Sequence, residues 1–441
     1  MTRHHRELRF VFAGVGTKGD VLPLLALAEE LKRRGHACDV LANESFEDLA
    51  GSKGLGFRGV TTEQANNLVG HEENLEFHIM PSYAPTIRYF EEQRRKGAQL
   101  VVVNLDEFSA SNLMCELFAL PLCRAHLAPK RIKSLLAPPW PAQRYLGGPF
   151  GATFRKFTLP RSYAALERAP GFLSRLNPYR ASLGLPPIGS TLEIDRNVTE
   201  RLCLFPDWFC SPAPDWPTPT RVVGFPLPPA FSALPQEVVA FAEQQGRPIV
   251  FTPGTGVQDV ADFFRDAKAC CDALGRPGLF LSRCLTREQQ DFGPSVLTWD
   301  YLELASVLPL AELLVHHGGI GTTARAFQAG VAQLVRPVAY DQSDNGHRVR
   351  TLGAGGMLEA EDYSLEAFIH MARRLLSDPD VARSVRECRN SISRAEGVTR
   401  GADALERLAA NAWRSRPEIL DDWRRSHSSS PVVSLGPPAL D

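Results

Sequence analysis

His316-His317-Gly318-Gly319-Ile320-Gly321-Thr322-Thr323, with Asp341-Gln342 downstream, organises the reading of this chain. Leu310 to Val315, just before it, is an apolar run of strand length. Ala324 to Ala329, just after it, reads as the first turns of a helix. The histidines and glycines therefore lie where a strand hands over to a helix N-terminus. Unsatisfied N–H groups and the positive dipole end make such a place an anion site, typically for phosphate. Glycines allow close approach of backbone to a ligand, and the two threonines add hydroxyl donors. A phosphate-bearing ligand is the expectation.

The same grammar extends in both directions. Pro248 to Thr252, Leu279 to Ser282, Ser295 to Thr298, Leu313 to Val315 and Gln333 to Arg336 read as strands, and Asp259 to Leu274 has helical periodicity. Near the start, Leu8 to Ala13 is a strand and Val21 to Arg34 a helix stopped by Gly35. Cys38 to Ala42 is the next strand, and Gln99 to Asn104 another. Between the halves, Cys210 to Pro235 is dense in proline, as a stiff linker would be. The reading is α/β: two Rossmann-like, doubly wound parallel sheets facing a cleft that holds the ligand. The expected divisions are 1–225, a linker at 226–246, 247–400, a helix at 401–423 that crosses back onto the first domain, and a disordered Ser/Pro-rich tail at 424–441.

The chain of 441 residues is 44% hydrophobic and carries a formal net charge of -1. Sizeable cores are affordable, and no global charge points to nucleic acid. Nine cysteines without a C-x-x-C pair fit a reduced, cytoplasmic setting better than disulfides or zinc. No apolar run reaches the ~18 residues of a membrane span. The run from Leu8 to Val15 is too short and too early for a signal peptide.

A second glycine loop competes for the phosphate. Gly14-Val15-Gly16-Thr17-Lys18-Gly19 fits G-x-G-x-x-G after a strand, and Glu44 lies where a ribose-binding acid would be. By itself this pattern predicts an NAD(P)-dependent oxidoreductase. Asp20 at the loop exit argues against it, because a carboxylate there repels a pyrophosphate.

Three blocks resemble the nucleotide-sugar glycosyltransferases of the GT-B fold, closest to the bacterial branch acting on lipids, sterols and natural products. They are GTKGDVLPLLALAEELKRRGH at 16–36, the turn at 316–323 with its continuation to Asn345, and CLFPDWFCSPAPDWPTPTRVVGFPL at 203–227. The last looks like the corresponding stretch of rhamnolipid-forming rhamnosyltransferases. The resemblance covers essentially the whole chain. It implies inverting, metal-independent transfer of a hexose or deoxyhexose from a UDP- or dTDP-sugar to a hydroxyl of a hydrophobic small molecule. No cofactor is implied, since the nucleotide sugar is a co-substrate. No DxD-type acid cluster lies near the phosphate turn.

The resemblance also implies roles. His317, with His316 beside it, holds the donor phosphate, and Gly319, Gly321, Thr322 and Thr323 donate hydrogen bonds to the diphosphate. Asp341 and Gln342, assisted by Asn345, bind the sugar hydroxyls. Thr252, Gly254 and Thr255 touch diphosphate or sugar, and Tyr301 stacks on the base. Asp20 is the general base, with Asp341 the alternative, and Gly16, Thr17 and Gly19 form the acceptor-side loop. Two departures stand out: Arg325 replaces a ribose-binding glutamate, and Glu303 replaces a proline. Arg131 to Tyr163 mixes basic and aromatic residues, which reads either as a solvated helix–loop region packing on the first domain or as an acceptor mouth in peripheral contact with a membrane. A non-catalytic nucleotide-sugar-binding subunit would keep the phosphate turn without needing Asp20.

Overall fold

The computed structural model describes residues 8–61, 80–105, 109–146, 150–168, 170–228, 232–254, 260–285, 291–393 and 396–414. The chain opens with β1 (Leu8–Ala13), in which Phe10, Val11 and Phe12 are fully buried. Burial on both faces is what a central parallel strand covered by helices requires. Helix α1 (Lys18–Arg33) starts with a reciprocal capping box between Thr17 and Asp20. It gives way at Gly35, whose φ of 94° suits a residue without a side chain.

Six further strands join β1: β2 (Ala37–Asn43), β3 (Gly56–Thr61), β4 (Gln99–Asn104), β5 (Leu122–His126), β6 (Glu200–Cys203) and β7 (Thr220–Val222). All pair in parallel, in the order β3-β2-β1-β4-β5-β6-β7. The second sheet runs β10 (Val296–Trp299), β9 (Gly278–Leu281), β8 (Ile249–Thr252), β11 (Leu313–His316), β12 (Ala332–Val335), β13 (Gly355–Met357), again all parallel. Strand order reverses between β1 and β4 in the first sheet and between β8 and β11 in the second. Crevices at such switch points, beyond the carboxyl ends of the strands, are where open α/β sheets bind ligands.

Helices α2 (Ile320–Ala329) and α3 (Gln342–Thr351) follow β11 and β12 and place the turn and Asp341-Gln342 at that end of the second sheet. The last described helix, α4 (Gly397–Arg414), returns to the first domain. Its Ala402, Leu405, Leu408 and Ala409 are buried in the cluster that holds Leu24 and Leu27 of α1. Arg34, at the end of α1, pairs with Asp403 and Glu406 of α4.

The proline-rich stretch is more than a spacer. It carries β7, and its Trp216 and Phe225 are buried in the cluster that contains Phe251, Phe264 and Val315 of the second domain. Gln236–Gln245, expected within the linker, is a helix whose Val238 packs with Val250 and Leu279. The expected tail at 424–441, the last part of the returning helix and Thr255 lie outside the described residues. No described helix is long and apolar enough to cross a membrane.

Candidate active site

The adjacent histidines point opposite ways. His316 ends β11 and is fully buried. Its Nε2 faces Gln333 Oε1 at 3.0 Å, and the Gly318 N–H donates to its Nδ1 at 3.1 Å. An acceptor role for Nδ1 fixes the neutral tautomer with the proton on Nε2. Burial, reinforced by His317, pushes its pKa down to about 3. Both ring nitrogens are thus engaged, which removes His316 from the ligand-facing set.

His317 occupies the turn itself. Its ring lies between two glycines: a Cβ on Gly254 would fall 2.6 Å from its Cε1, and one on Gly319 would fall 2.5 Å from its Nε2. These glycines make room for an imidazole, where the sequence suggested room for the ligand. Among the described residues its Nδ1 has no hydrogen-bond partner, and burial lowers its pKa to about 4. Gly318 makes the turn at φ 95°. Beyond it, the N–H groups of Ile320, Gly321 and Thr322 belong to the first turn of α2 and have no intrahelical acceptor. Nothing approaches within 4 Å of a Cβ placed on Gly321. Thr322 is partly exposed, whereas Thr323 is fully buried with its hydroxyl turned inward and unpaired. Thr252 lies at the end of β8, in register with His316.

Asp341 and Gln342 start α3. Asn345 donates to Asp341 Oδ2 at 2.7 Å and to the Gly318 carbonyl at 2.9 Å. It is fully buried, so it ties Asp341 to the phosphate turn and does not face a ligand. Gln342 Oε1 accepts from the Val338 and Ala339 N–H groups, which leaves its amide NH2 for donation.

Across the cleft, Asp20 Oδ2 accepts from the Thr17 N–H at 2.9 Å and the Thr17 hydroxyl at 3.1 Å. A Cβ on Gly16 would fall 2.4 Å from that same oxygen. The carboxylate therefore takes the backbone donor that a dinucleotide pyrophosphate would use, which disfavours the NAD(P) alternative. Gly19 is exposed beside it. Burial raises the Asp20 pKa above the ordinary carboxylate range, the Thr17 donors and Arg131 guanidinium draw it back, and the Asp341 carboxylate raises it further. Burial raises Asp341 as well, against the pull of Asn345, Arg131 and Lys130. Asp20 of one domain and Asp341 of the other therefore share one electrostatic neighbourhood with Arg131.

Tyr301, 41% exposed, follows β10. Lys18 Nζ lies 4.0 Å from its ring centroid and the Arg283 guanidinium 5.4 Å. The two departures from the family pattern are neighbours: Glu303 is an electrostatic partner of Arg325. Arg325 donates to the Pro228 carbonyl at 2.8 Å, and Glu303 accepts from the Ser232 N–H and hydroxyl. Both therefore hold the interdomain segment.

One residue escaped the sequence reading. His126 ends β5, is 8% exposed, and neither ring nitrogen has a partner among the described residues. Burial first, then Arg124, Arg201 and Arg131, push its pKa down to about 3. A histidine at the end of a short strand carries no local signal of this kind. Among the described residues, no cluster of three His, Cys, Asp or Glu side chains is arranged to hold a metal.

Residues 10–97 match the glycosyltransferase family 28 N-terminal domain, and residues 285–397 match the erythromycin biosynthesis protein CIII-like C-terminal domain. With the two facing parallel sheets, these matches make the chain a glycosyltransferase of the GT-B fold. The chain is similar to glycosyltransferase GtfC of Amycolatopsis orientalis, 27% identical with 86% of this chain and 92% of the relative covered. It is likewise similar to the O-mycaminosyltylonolide 6-deoxyallosyltransferase of Streptomyces fradiae, 25% identical over 91% and 98%. Among solved structures it resembles the calicheamicin glycosyltransferase CalG4, with a TM-score of 0.68, 20% identity, and 93% of this chain and 100% of that one covered. It also resembles the spinosyn rhamnosyltransferase SpnG complexed with thymidine diphosphate, with a TM-score of 0.63, 18% identity, and coverage of 90% and 100%.

Proposed function

We propose that the protein is an inverting glycosyltransferase that moves a hexose or deoxyhexose from a dTDP- or UDP-sugar to a hydroxyl of a hydrophobic small molecule, without a metal. The observation that carries this reading is the placement of Asp20, from one domain, opposite Asp341 and the phosphate turn of the other. A base on one wall and an anion-binding turn on the opposite wall suit attack on one side of a sugar carbon and departure on the other. The thymidine diphosphate held by SpnG and the deoxysugar moved by the Streptomyces fradiae relative favour dTDP-deoxysugars as donors.

In this mechanism Asp20 accepts the proton of the acceptor hydroxyl as its oxygen attacks the anomeric carbon. The bond from that carbon to the diphosphate oxygen breaks, and attack from the opposite face inverts the centre. Charge developing on the leaving diphosphate meets the free N–H groups at the start of α2, the Thr322 hydroxyl and the His317 ring. Asp341 and the Gln342 amide hold sugar hydroxyls. The raised Asp20 pKa makes its carboxylate a stronger base than that of an exposed aspartate.

The test is Asp20→Asn, with donor binding and turnover measured separately. Calorimetry is expected to show dTDP or UDP affinity within about twofold of wild type, and transfer to fall by roughly 100-fold or more. Turnover that survives the substitution removes Asp20 from the base role. A wild-type protein that binds NAD and neither nucleotide removes the whole reading.

A further inference from the structure

Lys18 belongs to the acceptor-side domain, yet its ammonium lies over Tyr301 of the donor-side domain. Arg283, from the turn after β9, approaches the same ring. Two cations therefore converge on one aromatic side chain at the cleft. Among the described residues neither makes an ion pair with a carboxylate, although ion pairs are frequent elsewhere in the molecule. The ring quadrupole attracts each cation but does not cancel their mutual repulsion. Burial and Arg283 both lower the Lys18 pKa.

The position of Lys18 is unfavourable for a second reason. It is the first residue of α1, at the positive end of the helix dipole, where a cation costs stability. Nothing in the packing of α1 requires a lysine there, since its buried face starts at Val21. Asp20 of the same turn is engaged by the Thr17 donors at the helix N-terminus, whereas the two cations meet over Tyr301, and such a pair is complementary to a multiply charged anion. Of the groups that the proposed reaction brings to this cleft, the diphosphate is the one that carries such charge.

We propose that Lys18 and Arg283, aligned by Tyr301, form a two-cation clamp for the diphosphate of the donor. The inference rests on the nucleotide-sugar reading above and deepens it. The clamp supplies the counter-charge that a divalent cation provides in metal-dependent transferases. Because Lys18 comes from the opposite domain, the clamp also links donor binding to closure of the cleft.

The experiment is calorimetric titration of wild type, Lys18→Met, Lys18→Arg and Arg283→Gln with dTDP, UDP, thymidine and uridine. Lys18→Met and Arg283→Gln are each expected to weaken dTDP and UDP about tenfold or more, the scale of one charged hydrogen bond. They should leave thymidine and uridine unchanged, and Lys18→Arg should restore most of the loss. Equal dTDP affinity in Lys18→Met and wild type overturns the clamp. So does Lys18→Met tightening dTDP and thymidine alike, which would mean that Lys18 merely covers the face on which the base stacks. If wild type binds neither dTDP nor UDP, the nucleotide-sugar reading fails first and takes the clamp with it.

Discussion

His316 and His317 show how much one residue of register changes. Residue 316 is the last of a strand covered on both faces, so its ring enters the core and meets Gln333. Residue 317 has left the strand, and glycines on both sides let its ring stand in the turn. The sequence suggested a histidine facing a phosphate site, but two neighbouring histidines at a strand end look alike until the strand's last residue is known. His126 was invisible for a different reason: its environment comes from burial and from three arginines, Arg124 on its own strand and Arg201 and Arg131 on other segments. Its neutral ring, unpaired and 8% exposed, gives a clear stability prediction. An unpaired buried polar group costs roughly 1–3 kcal/mol, while an apolar group of the same shape does not. His126→Phe is therefore expected to match or exceed wild-type stability at pH 7. The pH dependence follows from the sign of the shift. The folded pKa, about 3, lies below the unfolded value, so the unfolded chain takes up the proton first as pH falls. Stability is lost between about pH 6.5 and 3, by roughly 2 kcal/mol at pH 5. His316 acts in the same sense, whereas the raised Asp20 and Asp341 act in the opposite one. Urea midpoints at pH 7 and pH 5 should then show a smaller acid loss in His126→Phe than in wild type. An equal loss would mean that the ring is solvated or paired.

At the scale of elements, the strands with unbroken apolar runs were legible almost to the residue: β1 and β4 have the bounds that the sequence suggested. The sequence reading left out β3, β5, β6, β7 and β13, and shortness or polarity accounts for the clearest of these. β13 is Gly-Gly-Met, and β6 begins Glu-Arg, buried because Glu200 pairs with Arg221 and Arg201 with Asp195. Ion-pair partners that lie outside the strand leave no periodic trace in it. β7 hid within the prolines, where an edge strand tolerates what a central strand does not. The turn between β11 and α2 allows its glycines to be separated by experiment. Gly318 has φ 95°, and a Cβ there would lie 2.7 Å from Val335 Cγ1 and 2.9 Å from the Gln342 carbonyl oxygen. Gly318→Ala is expected to cost about 1–3 kcal/mol in backbone strain and to shift the start of α3. Gly321→Ala meets nothing within 4 Å, so its thermal midpoint should stay at or above the wild-type value. Both should weaken dTDP, Gly318→Ala by displacing the turn and Gly321→Ala by standing where the diphosphate approaches. A Gly321→Ala protein with unchanged dTDP affinity would place the ligand elsewhere on α2.

At the scale of the whole molecule, the two domains could be read from the sequence, but what joins them across the cleft could not. Trp140 of the first domain stacks on His347 of α3, with ring centroids 4.3 Å apart and planes 8° from parallel. Its N–H donates to Asp344 and its indole N–H to Glu359, partners 204 and 219 residues away. Lys130 donates to the Tyr340 carbonyl, next to Asp341. Contacts between residues so distant have no local pattern, and the aromatic-basic stretch that contains Trp140 suggested either an acceptor mouth or a solvated helix–loop region packed on the first domain. In the fold it also braces α3, the helix that presents Asp341 and Gln342. This brace and the proposed Lys18–Arg283 clamp both depend on the same closure, so their effects should be coupled. Trp140→Ala removes the stack and one hydrogen bond, favours an open cleft, and carries Lys18 away from the donor. It is expected to weaken dTDP severalfold in the wild-type background and hardly at all in Lys18→Met, where the cation is already gone. The interaction energy of such a cycle isolates the shared step, provided that both single variants fold, which circular dichroism and thermal melts would verify. Strictly additive losses would show that Trp140 supports the donor site through α3 alone and that Lys18 does not need the closed cleft.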